Sequence, residues 1–519
     1  MSDRSVGPVD IALVLLLLGV GFATRTLTDL ASLLLLAALS RFGPKTVFFF
    51  VCTSAAIWLI AIALTGIGGA ALTTFFGREL DLTYDLFLVP VLWDLSVDAF
   101  SAPFAVILFS LITGVLLALV YGVTRCYQRM AECADIRVAA VLASLLIVTA
   151  LSGRDVVRTS HSLGAGLIAA YNVASSDKAF ERKLVEARRS DLVLPKDLAL
   201  LQQRDLVVIF IESYGRILWD DPLLWRDYKS TLSRFESELA SSGWEASSHF
   251  LDSSVVGGSS WLAHMTFSTG VHCGNQLCWK RLLNSDVKAL PRFLTDKGYE
   301  AIDVLPAMDI DAWPEGDFFG FTRHVWSKEL GYRGPKYAWS PMPDQYVLFK
   351  VWEEVFATAS QPLFVEISLT SSHAPWSVVP PLHGKEPSLR ALEETLSAAP
   401  PPRRDRMIWF DISADDYLRA QTYSMESTLG FLTQAYSRDA IFLILGDHQP
   451  TQQVQRINSK ALGHERHVPL HVIARAGEVH GRLRDLGFQA GLQLSNEATV
   501  IPMSTMKGLL LRVFHSEDS

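Results

Sequence analysis

Three apolar runs in the second half of the chain stop at side chains able to bind a metal or a phosphate. They are Glu212 in DLVVIFIESYGR, His373 in LFVEISLTSSHAPW, and Asp447 with His448 in IFLILGDHQP. A single carboxylate after an apolar strand is ordinarily a solvated loop charge or a helix cap. Three such ends together point to a shared site, because functional groups of open α/β sheets gather at the carboxyl ends of strands. Glu, Asp and His offer oxygen and nitrogen ligands for a divalent cation of the zinc or manganese type, yet two carboxylates and one imidazole leave a tetrahedral site one ligand short. A hydroxyl would complete it. The segment VVGGSSWLAHMTFSTG presents Ser259 and Ser260 directly after two glycines. There a flexible backbone lets a side chain enter a site and brings amide groups close to an anionic substrate. Contact with a metal would also help ionise that hydroxyl into a nucleophile.

The elements that must position these residues are short apolar runs bounded by polar residues: Leu206 to Ile211, Ala301 to Leu305, Leu363 to Leu369, Ile441 to Leu445 and Val468 to Ile473. They read as buried strands. Helix-length stretches such as Tyr228 to Ser241 and Tyr417 to Tyr436 lie between them, which predicts an α/β sandwich on a mostly parallel sheet over 205–519. Pro400, Pro401 and Pro402 mark a loop, and there is no internal repeat.

The first part of the chain belongs to another solvent. Of 519 residues 50% are hydrophobic and only 19% charged, and the apolar excess sits before about residue 152. Five stretches, Val9 to Ala23, Leu27 to Leu39, Val47 to Gly66, Phe100 to Val123 and Val138 to Leu151, approach the roughly 20 residues that a membrane-spanning helix needs. Arg41 and Lys45 follow the second stretch, and Arg125, Arg129 and Arg137 flank the link between the fourth and fifth, so these links are expected to face the cytoplasm. The link carrying Glu79, Asp81, Asp85, Asp94 and Asp98 suits the opposite side. An odd number of spans over 1–152 then exports the C-terminal half from a bacterial-type plasma membrane. Between them, 153–204 reads as a connector whose stretch Asp177 to Leu194 is amphipathic, either near the membrane surface or as a solvated linker helix.

A net charge of −8 without a dense Lys/Arg run argues against a nucleic-acid partner. Among five cysteines, Cys273 and Cys278 lie close together, and export would favour a disulfide between them.

ESYGR, GGSSW, the strand ending in His373, and GDHQP followed by HERHVPL occur in the order seen in membrane-bound lipoteichoic acid synthases and lipid A phosphoethanolamine transferases of the alkaline phosphatase superfamily, which the chain resembles over most of its length. Those proteins place an exported sulfatase-like domain after five transmembrane helices. The resemblance implies one principal zinc or manganese ion held by Glu212, Ser259, Asp447 and His448. Ser259 would stand where the family has a threonine nucleophile, with Ser260 the adjacent alternative because GGSSW can be registered either way. It further implies that His373 and His464 steady phosphate oxygens or deliver a proton to the leaving alkoxide, with His467 competing with His464 for that role.

The implied reaction is transfer of a phospholipid head group, through a covalent phospho-enzyme, to a lipid or glycan acceptor in the envelope. The segment VLPAMDIDAWPEGDFFGF gathers Asp309, Asp311, Glu315 and Asp317 around Trp313. A substrate site at Trp313, Asp309 and Glu315 would suit cationic ethanolamine better than glycerol. A membrane-anchored phosphodiesterase or phosphatase would use the same residues, with water as acceptor. A sulfatase is disfavoured because neither serine begins a Ser-x-Pro-x-Arg signature. A non-catalytic envelope assembly protein would leave the intact site unexplained.

Overall fold

The computed structural model describes residues 44–76, 102–133, 177–192, 197–201, 204–310, 313, 315–337, 339–384, 388–398, 413–435, 438–451, 454–457, 459 and 461–515. The chain divides into two compact units, the second containing Lys178–Ser519. In the first, α1 (Lys45–Phe76) contains the third apolar stretch and α2 (Ala102–Cys133) most of the fourth. Among the described residues one helix, Ala102–Arg125, is long and apolar enough to cross a membrane. The first, second and fifth stretches, Asp311 and Pro400 to Pro402 lie outside the described residues, so five spans are not confirmed.

The amphipathic stretch forms α3 (Asp177–Leu192). Its apolar face is covered by protein: Phe180 and Leu184 are buried in the core of the second unit. Lys507 Nζ reaches Asp191 Oδ1 at 2.5 Å, and Arg188 pairs with Asp286.

The second unit is built on a nine-stranded sheet. Its strands are β1 (Asp205–Ile211), β2 (Trp244–Asp252), β3 (Glu300–Leu305), β4 (Arg323–Trp326), β5 (Leu363–Leu369), β6 (Ala440–Gly446), β7 (His467–Arg475), β8 (Gln489–Ala490) and β9 (Val500–Pro502). The order is β4-β3-β5-β1-β6-β7-β2-β8, with β9 beside β2. The first five strands in this order are parallel; β7 runs antiparallel to β6 and β2 antiparallel to β7. All five expected strands are present.

Sequence reading misses β2 because WEASSHFLD lacks an apolar run. Its serines are buried with partners: Ser247 Oγ lies 2.8 Å from His480 Nδ1, and Ser248 Oγ 2.7 Å from His471 Nδ1. A buried hydroxyl with such a partner no longer carries the cost of lost hydration.

Every residue of β1 is buried because helices cover both faces. Val207, Ile209 and Ile211 pack under α4 (Pro222–Ser241) and α7 (Ala414–Gly430), while Leu206, Val208 and Phe210 pack under α5 (Ser260–Thr269), with α6 (Asp344–Val351) on the first face. Asp221 starts α4 by accepting from the Leu223 and Leu224 amides, with Pro222 as first helical residue.

Cys273 and Cys278 are buried free thiols rather than a disulfide. Their sulfurs approach the carbonyls of Asn275 and His272 at 3.8 and 3.6 Å.

The turns after β1 and β6 touch at Gly446, where a Cβ would lie 1.9 Å from the Tyr214 carbonyl oxygen. Gly446→Ala must therefore push two buried turns apart. It is expected to cost about 3 kcal/mol and to lower the thermal midpoint by roughly 5 °C or more. An unchanged midpoint in thermal unfolding would show that the Tyr214 turn can retreat.

Candidate active site

Parallel pairing in register brings the carboxyl ends of β5, β1 and β6 side by side, with Ile211 opposite both Leu369 and Gly446. The next residues are Glu212 and Asp447. Asp447 Oδ1 accepts the Ser213 amide at 2.8 Å and the His448 amide at 2.7 Å, which locks the two turns together. Ser213 holds a left-handed backbone, φ 57°, to present that amide, and its hydroxyl donates to Glu212 Oε1 at 3.0 Å.

His448 Nδ1 donates to the Gln449 carbonyl at 2.8 Å. A carbonyl can only accept, so this nitrogen carries a proton and Nε2 is left to act as a ligand. Nε2 lies 3.1 Å from Glu212 Oε1 and 3.7 Å from Asp447 Oδ2. The potential ligand atoms of Glu212, Asp447 and His448 all lie within 4.8 Å of one another, so the donor set fits a divalent cation with room for a fourth ligand.

Of the two serines after the glycines, Ser260 brings its hydroxyl to this cluster. Its Oγ donates to Glu212 Oε2 at 3.1 Å and lies 3.4 Å from His448 Nε2. Gly257, Gly258 and Ser259 all have positive φ, so the loop turns sharply before α5 begins at Ser260. Ser259 precedes the helix in left-handed conformation, φ 67°, and its side chain does not cap it. Of the two registers open in the sequence, this geometry brings Ser260 to the carboxylate.

His373 Nδ1 donates to the Ala374 carbonyl at 2.6 Å, and its ring stacks on the half-exposed Trp339 at 4.0 Å. It sits close enough for its charge to act on Glu212. His464 is one step removed. Its Nδ1 bonds Asp220 Oδ2 at 2.8 Å, while its carbonyl accepts from Gln449 Nε2 at 2.9 Å. Burial and the nearby Arg216 charge push His467 down to about 4.

Trp313 stacks on Phe319 at 5.5 Å, Asp309 is exposed, and Glu315 with Asp317 lines a groove of about 750 Å³ that also holds Lys280, Lys288 and Arg292. Among the described residues no hydrogen bond, ion pair or ring contact joins Trp313, Asp309 or Glu315 to the four site residues. Ser213, Gln449 and Trp339 escaped the sequence reading, since backbone amides, second neighbours and stacking partners leave no spacing signal.

No family model matches the sequence, and no curated protein matches it. Solved structures similar to the chain include the lipoteichoic acid synthase LtaP from Listeria monocytogenes, at 13% identity, 64% of this chain, 78% of that chain and TM-score 0.41. The integral membrane lipooligosaccharide phosphoethanolamine transferase A from Neisseria meningitidis is similar at 12% identity, over 96% of this chain and 95% of that one, with TM-score 0.46. The zinc complex of the periplasmic domain of EcEptC from Escherichia coli is similar at 14% identity over 53% and 73%, with TM-score 0.34.

The charges of the cluster act on one another. Burial opposes ionisation of Glu212, yet the His448 and His373 charges outweigh it and hold this carboxyl well below the usual range. Burial and the Glu212 charge push Asp447 up to about 6. For His448 burial favours the neutral ring, but the Asp447 and Glu212 charges win and raise it to about 9. A cation ligated by Nε2 must displace that proton. Metal affinity is therefore expected to rise with pH, by about tenfold per unit for one displaced proton, and to level off near the raised His448 value. Zinc titrations from pH 6.5 to 9.5 check this; a flat profile would refute the proton on His448.

Proposed function

We propose that the protein is a membrane-bound transferase that moves a phospholipid head group to a cell-envelope acceptor through a covalent phosphoserine on Ser260. The observation that carries this reading is the Ser260 hydroxyl, hydrogen-bonded to Glu212 beside Asp447 and His448 at the start of a ten-residue helix. Glu212, Asp447, His448 and Ser260 would hold a zinc or manganese ion, which when bound lowers the hydroxyl pKa and offsets phosphoryl charge.

Ser260 Oγ attacks the phosphorus of a phosphodiester, the bond to diacylglycerol breaks, and the departing alkoxide takes a proton. His373 is the proposed donor, since its Nδ1 is committed to Ala374 and Nε2 can pass a proton. His464, tied to Asp220 and to Gln449, has the proposed role of steadying the loop beside His448. The N-terminus of α5 favours the anionic phosphoryl group. In the second step an acceptor hydroxyl gives its proton to His373, its oxygen attacks the same phosphorus, and the bond from phosphorus to Ser260 Oγ breaks.

Ethanolamine is the first-choice head group, on the exposed Asp309 and Glu315 carboxylates; Lys280, Lys288 and Arg292 beside Glu315 work against a purely acidic field. Export of the second unit from a bacterial inner membrane fits the charge asymmetry of the links, and a tethered site meets donor lipid at high effective concentration.

Purified full-length protein incubated with zinc and head-group-labelled phosphatidylethanolamine or phosphatidylglycerol tests the reading. Wild type and Ser259→Gly are expected to release diacylglycerol and carry label on the Ser260 peptide, with phosphatidylethanolamine the better donor. Ser260→Ala is expected to lose the label, with turnover reduced by about a thousandfold or more. Label kept in Ser260→Ala and lost in Ser259→Gly would return the nucleophile to Ser259. Head-group release into water with no transfer to any envelope acceptor would make the protein a hydrolase.

A further inference from the structure

The sheet face under α5 carries a row of charged and polar groups among its apolar residues. Glu366, in the middle of β5, sits opposite Asp303 of β3, which sits opposite His324 of β4. Asp303 is 1% exposed; its carboxylate is engaged by His324 Nδ1 and by Trp326 Nε1, the latter at 3.1 Å. Glu366 is 6% exposed and is engaged from above by a residue of α5 itself: His264 Nδ1 lies 2.8 Å from Glu366 Oε1. The His264 ring also lies flat on Phe210 of β1, with centroids 3.7 Å apart and planes at 21°.

Leu262, Ala263, Met265 and Phe267 of α5 are apolar and buried, and Thr266, Ser268 and Thr269 are buried beside them. Apolar packing of that kind would be enough to hold the helix down. A buried imidazole–carboxylate pair is a poor source of net stability, because two polar groups must first be stripped of water. It specifies one orientation, which nonpolar contacts do weakly.

His264 is four residues after Ser260, so both occupy one face of the helix. With the hydroxyl roughly 4 Å from the helix axis, a rotation of about 15° moves it by about 1 Å, and such a misplacement can cost on the order of a hundredfold in rate.

We propose that His264, clamped by Glu366 and seated on Phe210, is a positioning residue that fixes the rotation of α5 and so holds the Ser260 hydroxyl against Glu212 and His448. The inference rests on the reading of Ser260 as nucleophile and cation ligand, and its test separates the two. The full-length protein, loaded with cobalt(II) in place of zinc, reports the ligand sphere through its visible absorption independently of any lipid. Ser260→Ala is expected to change that spectrum. His264→Leu and Glu366→Leu are expected to reproduce the Ser260→Ala spectrum, and the double variant to add nothing further. His264→Asn, whose amide can still donate to Glu366, is expected to restore the wild-type spectrum.

In single-turnover capture of labelled phosphatidylethanolamine, His264→Leu is expected to be 10- to 100-fold slower at saturating lipid. The half-saturating concentration should stay within threefold, and His264→Asn should recover most of the rate. A spectrum altered by Ser260→Ala but untouched by His264→Leu would overturn the positioning role alone. So would a His264→Asn variant no better than His264→Leu. A spectrum that Ser260→Ala leaves unchanged would overturn the reading of Ser260 and the positioning role with it.

Discussion

The site depends on one buried carboxylate. Asp447 Oδ1 accepts two backbone amides, from Ser213 and from His448, and in doing so ties the turn after β1 to the turn after β6. With that oxygen committed, Oδ2 shares the cluster with the Glu212 carboxylate and His448 Nε2. The same clamp requires glycine at position 446, because the Tyr214 carbonyl occupies the space that a side chain would need.

Two buried carboxylates beside one imidazole are stable only if positive charge is shared among them. In the metal-free protein that charge is the His448 proton, raised in pKa by both acids despite burial. A divalent cation is the stronger complement to the same arrangement, and the Gln449 carbonyl has already fixed the tautomer that leaves Nε2 available. Protonation and metal binding thus compete for one cluster.

The hydroxyl arrives from a separate element, by a loop that passes through three successive positive-φ residues before α5 begins. Two are glycines, which adopt such angles freely; Ser259 does so at a cost on the order of 1 kcal/mol. Local strain of this kind persists where surrounding structure over-determines it. Around α5 that structure includes the apolar contacts of Leu262, Met265 and Phe267 and the polar contact of His264 with Glu366.

The sequence by itself determined the strands that end in Glu212, His373 and Asp447–His448, since fully buried parallel strands must be written as continuous apolar runs and their carboxyl ends must carry the polar groups. It also determined that a hydroxyl follows two glycines. It named Ser259 first with Ser260 as the alternative; one residue of helix register turns a side chain by about 100°, and the fold sets the Ser260 hydroxyl against Glu212. β2 was illegible because its serines are satisfied by partners more than two hundred residues away. Trp313 reads as part of a substrate site from its acidic neighbours, and only the fold shows that it stacks on Phe319. The amphipathic stretch Asp177 to Leu194 reads as a helix near a lipid surface or as a solvated linker. Phe180 and Leu184 settle on protein, because an apolar stripe specifies that it will be covered and only the tertiary structure supplies what covers it.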